Sequence, residues 1–363
     1  MFVPRSVSAV RDTPRIEYHQ GRRTAGCLPD VPDRTRIRRS VGALASALAL
    51  VLTGCANGGQ PADPAETLPP PAELRLADWN ICGEAGGVRG QSGFCPYRDS
   101  PEKKIQQLAA LVEKRHLNAL TVQEVCGKDA GSHVALLEKA LGSEWSVVHA
   151  VGKRPEGEAR CRDGLRGDLG VAVAVRGRVI DSSARNALPP DPAGRSEQTL
   201  PVLCVRAHGW RYSVCTTHIL PGETARVSTQ ITRVKDFVLG FASATAGRAV
   251  LTGDFNRNGH APQLRPLAAG FVECAALRSA VTYRQWDVGE GRSVPHSLDH
   301  IYATKQPRGE DPFDRCGVES SLMDTSPNEM GQAPTGYSDH APVWAVLPMA
   351  EVPPSGATGQ RDQ

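Results

Sequence analysis

Short β-like runs in this chain are joined in two ways, by tight turns and by amphipathic helices, and a chain that mixes the two builds mixed sheets. The hairpin kind is plainest at 201–207 and 211–217, which flank His208-Gly209-Trp210. The crossover kind follows the run Leu74 to Ile81. There Ser100-Pro101 opens a helix whose Ile105, Leu108, Leu111 and Val112 form one apolar stripe ahead of the next run, Ala119 to Val122. A second crossover, Glu223 to Phe241, places Val227, Ile231, Val234, Val238 and Phe241 on one face. Further runs lie at Leu169 to Arg176, Ala249 to Thr252, Ser297 to Ala303 and Pro342 to Leu347. The hairpins argue against a doubly wound parallel fold and for an α/β protein of the α+β type.

With 22% charged and 40% hydrophobic residues in 363, the chain is globular and long enough to bury a sizeable core. Its formal charge of +3 comes from one end. The first 54 residues hold nine arginines against four acids, so the remainder nets −2, without a strongly basic nucleic-acid footprint. A local basic stripe stays open. Arg34, Arg36, Arg38 and Arg39 precede the apolar run Val41 to Leu52, which is too short for a mature membrane span. Leu52-Thr53-Gly54-Cys55 then looks like a bacterial lipobox, with an ordinary secretory signal as the alternative. The expected layout is a leader over 1–54, lipid on Cys55 and a proline-rich tether over 55–72. A folded domain over 73–349 and a disordered tail over 350–363 complete it. The protein would act as a monomer, lipid-anchored on the extracellular face of the bacterial membrane or secreted.

Export bears on the cysteines. Leaving out Cys27 and Cys55, eight remain, an even number that favours disulfides over zinc. The simplest pairing joins sequence neighbours: Cys82 with Cys95, Cys126 with Cys161, Cys204 with Cys215, Cys274 with Cys316.

Polar residues gather at the ends of the β-like runs: Asn80, Glu124, His218, Asp254, Asn256, Asp299, Asp339 and His340. Asp254 and Asn256, two apart, share one side of an extended chain and can reach a common phosphate, metal or water. Asp339 and His340 are adjacent, so a site using both needs a bend, which Pro342 favours.

The segments Leu76-Ala77-Asp78-Trp79-Asn80, Val122-Gln123-Glu124-Val125, Thr217-His218, Leu251-Thr252-Gly253-Asp254-Phe255-Asn256, Leu298-Asp299-His300-Ile301-Tyr302 and Tyr337-Ser338-Asp339-His340-Ala341-Pro342-Val343 together resemble the endonuclease/exonuclease/phosphatase family. The likeness spans about residues 73 to 348. It implies a four-layer sandwich of two packed mixed β-sheets flanked by helices, with one cleft along an edge. It also implies hydrolysis of a phosphate ester with Mg2+, Mn2+ and Ca2+ being the other candidate ions. On that analogy Glu124 binds the metal with help from Asn80, and Asp339 contributes to a metal or phosphate site. Asp254 and Asn256 hold the water and a phosphate oxygen, and Asp168 partners His218, with Asp163 as its competitor.

The residue types agree with such chemistry. An anionic phosphodiester calls for a hard cation with oxygen ligands such as Glu124 and Asp339, and for a base near neutral pH, His340. Asp299 can fix the tautomer of His340, and His218 can donate to phosphate oxygens. The substrate expected first is DNA; the alternatives are a phospholipid, sphingomyelin or inositol phosphate, or a non-catalytic binding module at the cell surface. Trp210, alone at a hairpin tip, is the one aromatic placed to touch lipid. His296, Asp299 and His300 have the makings of a zinc trio, disfavoured because Asp299 is already explained. Lys153, Arg154, Arg160, Arg162 and Arg166 form a basic cluster diluted by Glu156, Glu158 and Asp163, equally open as a phosphate contact or a solvated loop.

Overall fold

The computed structural model describes residues 65, 68–84, 94–162, 164–191, 198–222, 225–245, 247–287, 291–326 and 333–349. The leader, Cys55, most of the tether, Asp163 and the tail lie outside the described residues. The strands are β1 (Glu73–Asn80), β2 (Ala119–Gly127), β3 (Trp145–Val151), β4 (Lys153–Arg154), β5 (Gly157–Glu158), β6 (Asp168–Arg176), β7 (Val179–Arg185) and β8 (Val202–Ala207). Then come β9 (Tyr212–His218), β10 (Arg248–Asp254), β11 (Phe271–Glu273), β12 (Tyr283–Asp287), β13 (Arg292–His296), β14 (Asp299–Thr304), β15 (Arg315–Val318) and β16 (Val343–Pro348). The α-helices are α1 (Pro101–Arg115), α2 (His133–Leu141) and α3 (Ala225–Ala244).

Two six-stranded sheets carry the fold, in the orders β15-β16-β1-β2-β6-β3 and β11-β14-β10-β9-β8-β7. Each has one parallel pair, β1 with β2 and β9 with β10, and every other pairing within it is antiparallel. The parallel pairs are the two with helical crossovers, α1 and α3, as parallel connection requires.

Three apolar clusters mark the three interfaces of a four-layer sandwich. Leu74, Leu76, Val171, Val173, Val214, Val250, Ile301 and Val343 fill the space between the sheets. Trp79, Leu120 and Val122 face Ile105, Leu108 and Leu111 of α1 and Leu137 of α2. Leu251, Cys215 and Tyr302 face Val227, Ile231, Val234 and Val238 of α3. Strand alternation sends successive residues to these different layers, which is why the central strands are apolar on both faces.

All four neighbour pairings of cysteine are formed. Cys204 and Cys215 sit directly opposite on β8 and β9. Cys274, just after β11, and Cys316, on β15, join one sheet to the other. Trp210 departs from expectation. It is 3% exposed and belongs to the core between the sheets, because the turn folds the indole inward.

Candidate active site

Along the inward face of each central strand, apolar residues give way to polar ones in the same direction. On β1, Leu74 and Leu76 are followed by Asp78 and Asn80; on β2, Ala119 by Thr121 and Gln123. On β9, Tyr212 and Val214 are followed by Thr216 and His218; on β10, Val250 by Thr252 and Asp254. β14 runs oppositely and begins with Asp299. The dry core therefore ends in a polar layer, and the layer ends in the site.

The polar layer crosses between the sheets. Thr121 Oγ1 lies 2.8 Å from Thr252 Oγ1, and Gln123 Nε2 donates to Thr216 Oγ1 at 2.7 Å. Asp78 Oδ1 accepts from Thr121 Oγ1 and Gln123 Nε2, both at 2.6 Å. Burial pushes the Asp78 carboxyl up to about 7, with the nearby Asp299 adding to the rise and the Thr121 and Gln123 donors opposing it. Asp78 has no counterpart among the site residues expected from sequence.

Above this layer Asp254 is the hub. Its Oδ2 lies 3.4 Å from His218 Nε2, 3.6 Å from His340 Nε2 and 3.1 Å from Asn80 Nδ2, while its Oδ1 accepts from the backbone N–H of Asn256 at 2.8 Å. Asn256 Nδ2 donates to the Ile219 carbonyl at 2.8 Å and lies 3.0 Å from His218 Nε2. With both amide hydrogens so placed, Nε2 of His218 is the accepting nitrogen and Nδ1 the donor, with no hydrogen-bond partner among the described residues and 3.9 Å from Glu124 Oε1. Nδ1 of His340 is held by both oxygens of Asp299, at 2.8 and 3.1 Å, which leaves Nε2 facing Asp254. Burial lowers the basicity of His340, but Asp299 and Asp254 outweigh it and raise the pKa well above the ordinary value. Asp299 is itself raised by burial, with His340 opposing the shift.

Glu124 reaches the site through a backbone irregularity. A β-bulge between Gln123 and Val125 breaks the register of β2 against β6, and Glu124 has φ +54°. Val125 returns to the helix-facing cluster, so the extra residue re-aims Glu124 away from that face and towards Asn80, whose Nδ2 donates to it at 3.0 Å. Asp339 is a bend between two isolated β-bridges, at Ser338 and His340, which supplies the turn the adjacent pair requires. Burial, together with Glu124, pushes its carboxyl up to about 6, against the pull of His340 and Lys104.

Lys104 escaped the sequence reading because it lies on a helix face that reads as solvated. It is fully buried, and its ammonium donates to the carbonyls of Ile81 at 2.7 Å and Tyr337 at 2.6 Å, fastening the end of β1 to the segment that carries Asp339 and His340. Trp79 Nε1 adds a bond to the His340 carbonyl at 2.9 Å. Tyr283 stands over His340 with ring centroids 4.7 Å apart, and burial and the four surrounding carboxylates raise its hydroxyl pKa.

The donor set fits a hard divalent cation. Glu124, Asp254, Asp299 and Asp339 bring four carboxyl groups together, and the burial that raises Asp339, with Glu124 adding to it, is a penalty on its charge that a cation would relieve. Asp254, Asp299 and His340 have ligand atoms within 4.8 Å of one another. That trio suits proton transfer better than metal binding, because Asp299 is already engaged on His340. Asn80 enters the site through its nitrogen; its oxygen accepts the Cys82 N–H at 2.9 Å and keeps one lone pair for a cation.

Eight of the nine expected site residues thus converge, and Asp168 does not. Leu169, Val171, Val173 and Val175 of β6 face the core between the sheets, so Asp168, one residue out of phase, faces away from His218. It binds Arg160 at 2.9 Å and Lys128 at 3.1 Å instead. His300 likewise turns from Asp299, with Nδ1 2.9 Å from Glu273 and Nε2 2.8 Å from the Arg257 carbonyl, which dissolves the zinc trio.

A mixed two-sheet sandwich with carboxylates, two carboxamides and two imidazoles gathered at the sheet ends defines a metal-dependent phosphoric ester hydrolase. The sequence profile of the Endonuclease/Exonuclease/phosphatase family matches residues 79–340, and the chain belongs to that family. Solved structures share the fold. A family protein from Bacteroides thetaiotaomicron is 16% identical, with a TM-score of 0.53, over 77% of this chain and 99% of its own. One from Leptotrichia buccalis is 12% identical, with a TM-score of 0.50, over 76% and 99% respectively. No curated protein matches the sequence significantly.

Proposed function

We propose that the protein is an exported phosphodiesterase that uses Mg2+ to cleave DNA, by in-line attack of a water with His340 as the base. The observation that carries this reading is the reach of Asp254 to both His218 and His340, with His340 clasped from behind by Asp299. A water bonded to Asp254 is within reach of His340 Nε2, which in its neutral form takes the water's proton as the new phosphorus–oxygen bond forms. Asp299 stabilises the resulting imidazolium without itself gaining the proton. His218, fixed by Asn256, offers Nδ1–H to the phosphate oxygens as negative charge builds and the ester oxygen leaves. Glu124 and Asp339, with Asn80, would hold the cation; when bound, it neutralises the charge of the phosphate.

DNA is favoured over a lipid by the surface. Trp210 is buried, and among the described residues Ile180 is the exposed large hydrophobic side chain. Export is supported by four disulfides behind a leader-like segment.

Plasmid DNA, sphingomyelin and inositol phosphates, each with Mg2+, Mn2+, Ca2+ or EDTA, test the assignment. The expected result is nicking of DNA that EDTA abolishes and His340→Ala lowers by about 10^2- to 10^4-fold. Nicking that survives His340→Ala removes the base assignment; hydrolysis of only the lipid or inositol phosphate removes DNA; no EDTA-sensitive hydrolysis of any of them favours the binding module. For the anchor, Cys55→Ala should release the protein from the membrane fraction.

A further inference from the structure

β3 and β7 are the edge strands on one side of the sandwich, with β6 stacked over β8 and β3 over β7. Between these strands lies a groove of about 550 Å³, whose wall includes Lys128, Lys153, Ser183, Arg185 and Asn186. It opens at the catalytic end, because Val151 of β3 pairs with Gly170 near the start of β6, and Asp168 there pairs with Gly127, three residues beyond Glu124. Lys153, just after β3, is fixed to Thr199, just before β8, by reciprocal backbone bonds, both 2.8 Å.

The structure also resolves the basic cluster seen in the sequence. Arg154 is buried against Glu84, Arg160 binds Asp168, and Arg162 pairs with Glu156 at 3.5 Å. Lys153 and Arg185, by contrast, are exposed and make no ion pair with any of the described residues. Glu158, the acid on this wall, is held by Lys128 at 3.2 Å. The groove is therefore positive on balance, in a protein whose mature part is slightly acidic.

β2 and β3 are two strand spacings apart, about 10 Å, and so are β9 and β7. A substrate strand that leaves the site across β6 and β8 reaches the groove within a few nucleotides of the scissile bond. We propose that this groove binds a phosphate of the substrate strand a few nucleotides from the cut, through Lys153 and Arg185. The proposal deepens the nuclease reading given above and rests on it for the identity of the ligand.

The test measures binding of a twelve-nucleotide single strand and of a dinucleotide by fluorescence anisotropy over a salt series. The full chain carries His340→Ala so that cutting is slowed by about 10^2- to 10^4-fold during the measurement, with or without Lys153→Glu and Arg185→Glu. The expected result is at least tenfold weaker binding of the long strand and a salt slope smaller by about 1.4, the value for two lost contacts. The dinucleotide, too short to reach the groove, should bind both forms alike. Lys153→Gln with Arg185→Gln, which keeps size and removes charge, should reproduce the slope change. An unchanged affinity and slope for the long strand, or no binding of it by the His340→Ala parent, overturns the proposal. Groove-dependent binding in a wild-type protein that cuts no nucleic acid leaves the groove standing and removes the nuclease reading.

Discussion

His340 is a base whose strength is set by two carboxylates, and Asp78 is an acid whose strength is set by burial; both make measurable claims at the scale of single residues. Because Asp299 and Asp254 raise the pKa of His340, titration of its imidazole by NMR in metal-free protein should give a value above 6.5, and Asp299→Asn should lower it. A raised folded-state pKa contributes stability that is present below 6.5 and lost as pH climbs through the folded value. Asp299→Asn should also cut turnover by about 10^2- to 10^4-fold, since the base loses both tautomer and imidazolium support. Asp78, raised to about 7, contributes stability that is full below its unfolded value and fades as pH rises towards 7. Urea unfolding of Asp78→Asn against wild type should therefore favour the variant increasingly between pH 5 and 7, by up to about 1.4 kcal/mol per pH unit. A flat difference would mean that Asp78 is ionised in the folded protein. Neither Asp78 nor Lys104 stood out in the sequence, because a charge beside apolar neighbours reads as a surface position until tertiary contacts close over it.

At the scale of elements, the site depends on register and on one close approach. Gly253 has φ +144°, and a Cβ there would come within 2.0 Å of the Thr217 carbonyl oxygen on the neighbouring strand. Gly253→Ala should push β9 from β10, parting His218 from Asp254, and cost about 2 kcal/mol or more in thermal unfolding along with most of the activity. Preserved stability and activity would show that β9 can yield. The strands bearing Asn80, Glu124, His218 and Asp254 were legible because their approaches are short runs rich in apolar and β-favouring residues. β7, Val-Ile-Asp-Ser-Ser-Ala-Arg, was not: an exposed edge strand buries neither face and so carries no alternation. The expectation for Asp168 failed on parity alone, since a shift of one residue turns a side chain to the other face of its sheet.

For the whole molecule, the disulfides divide by what they span. Cys274–Cys316 closes 42 residues and joins the two sheets, whereas Cys204–Cys215 closes 11 within one sheet. By chain entropy their replacement with serine pairs should cost about 4 and about 3 kcal/mol respectively in chemical unfolding. An equal or reversed order would show that native-state effects outweigh loop length. By itself the sequence determined the mixing of the sheets, the preference of eight cysteines for disulfides and most of the polar set at the strand ends. These follow from local periodicity, loop length and residue type, which are written along the chain. The four layers came from the family resemblance, and the pairing of neighbouring cysteines was the simplest of many. Only the tertiary structure decided that a bulge aims Glu124 into the site, that Asp168 faces away, that Trp210 is buried and that Lys104 fastens the site from beneath. Those outcomes depend on the register and contact of segments far apart in the chain, where the stabilising free energy is shared between partners that neither segment specifies alone.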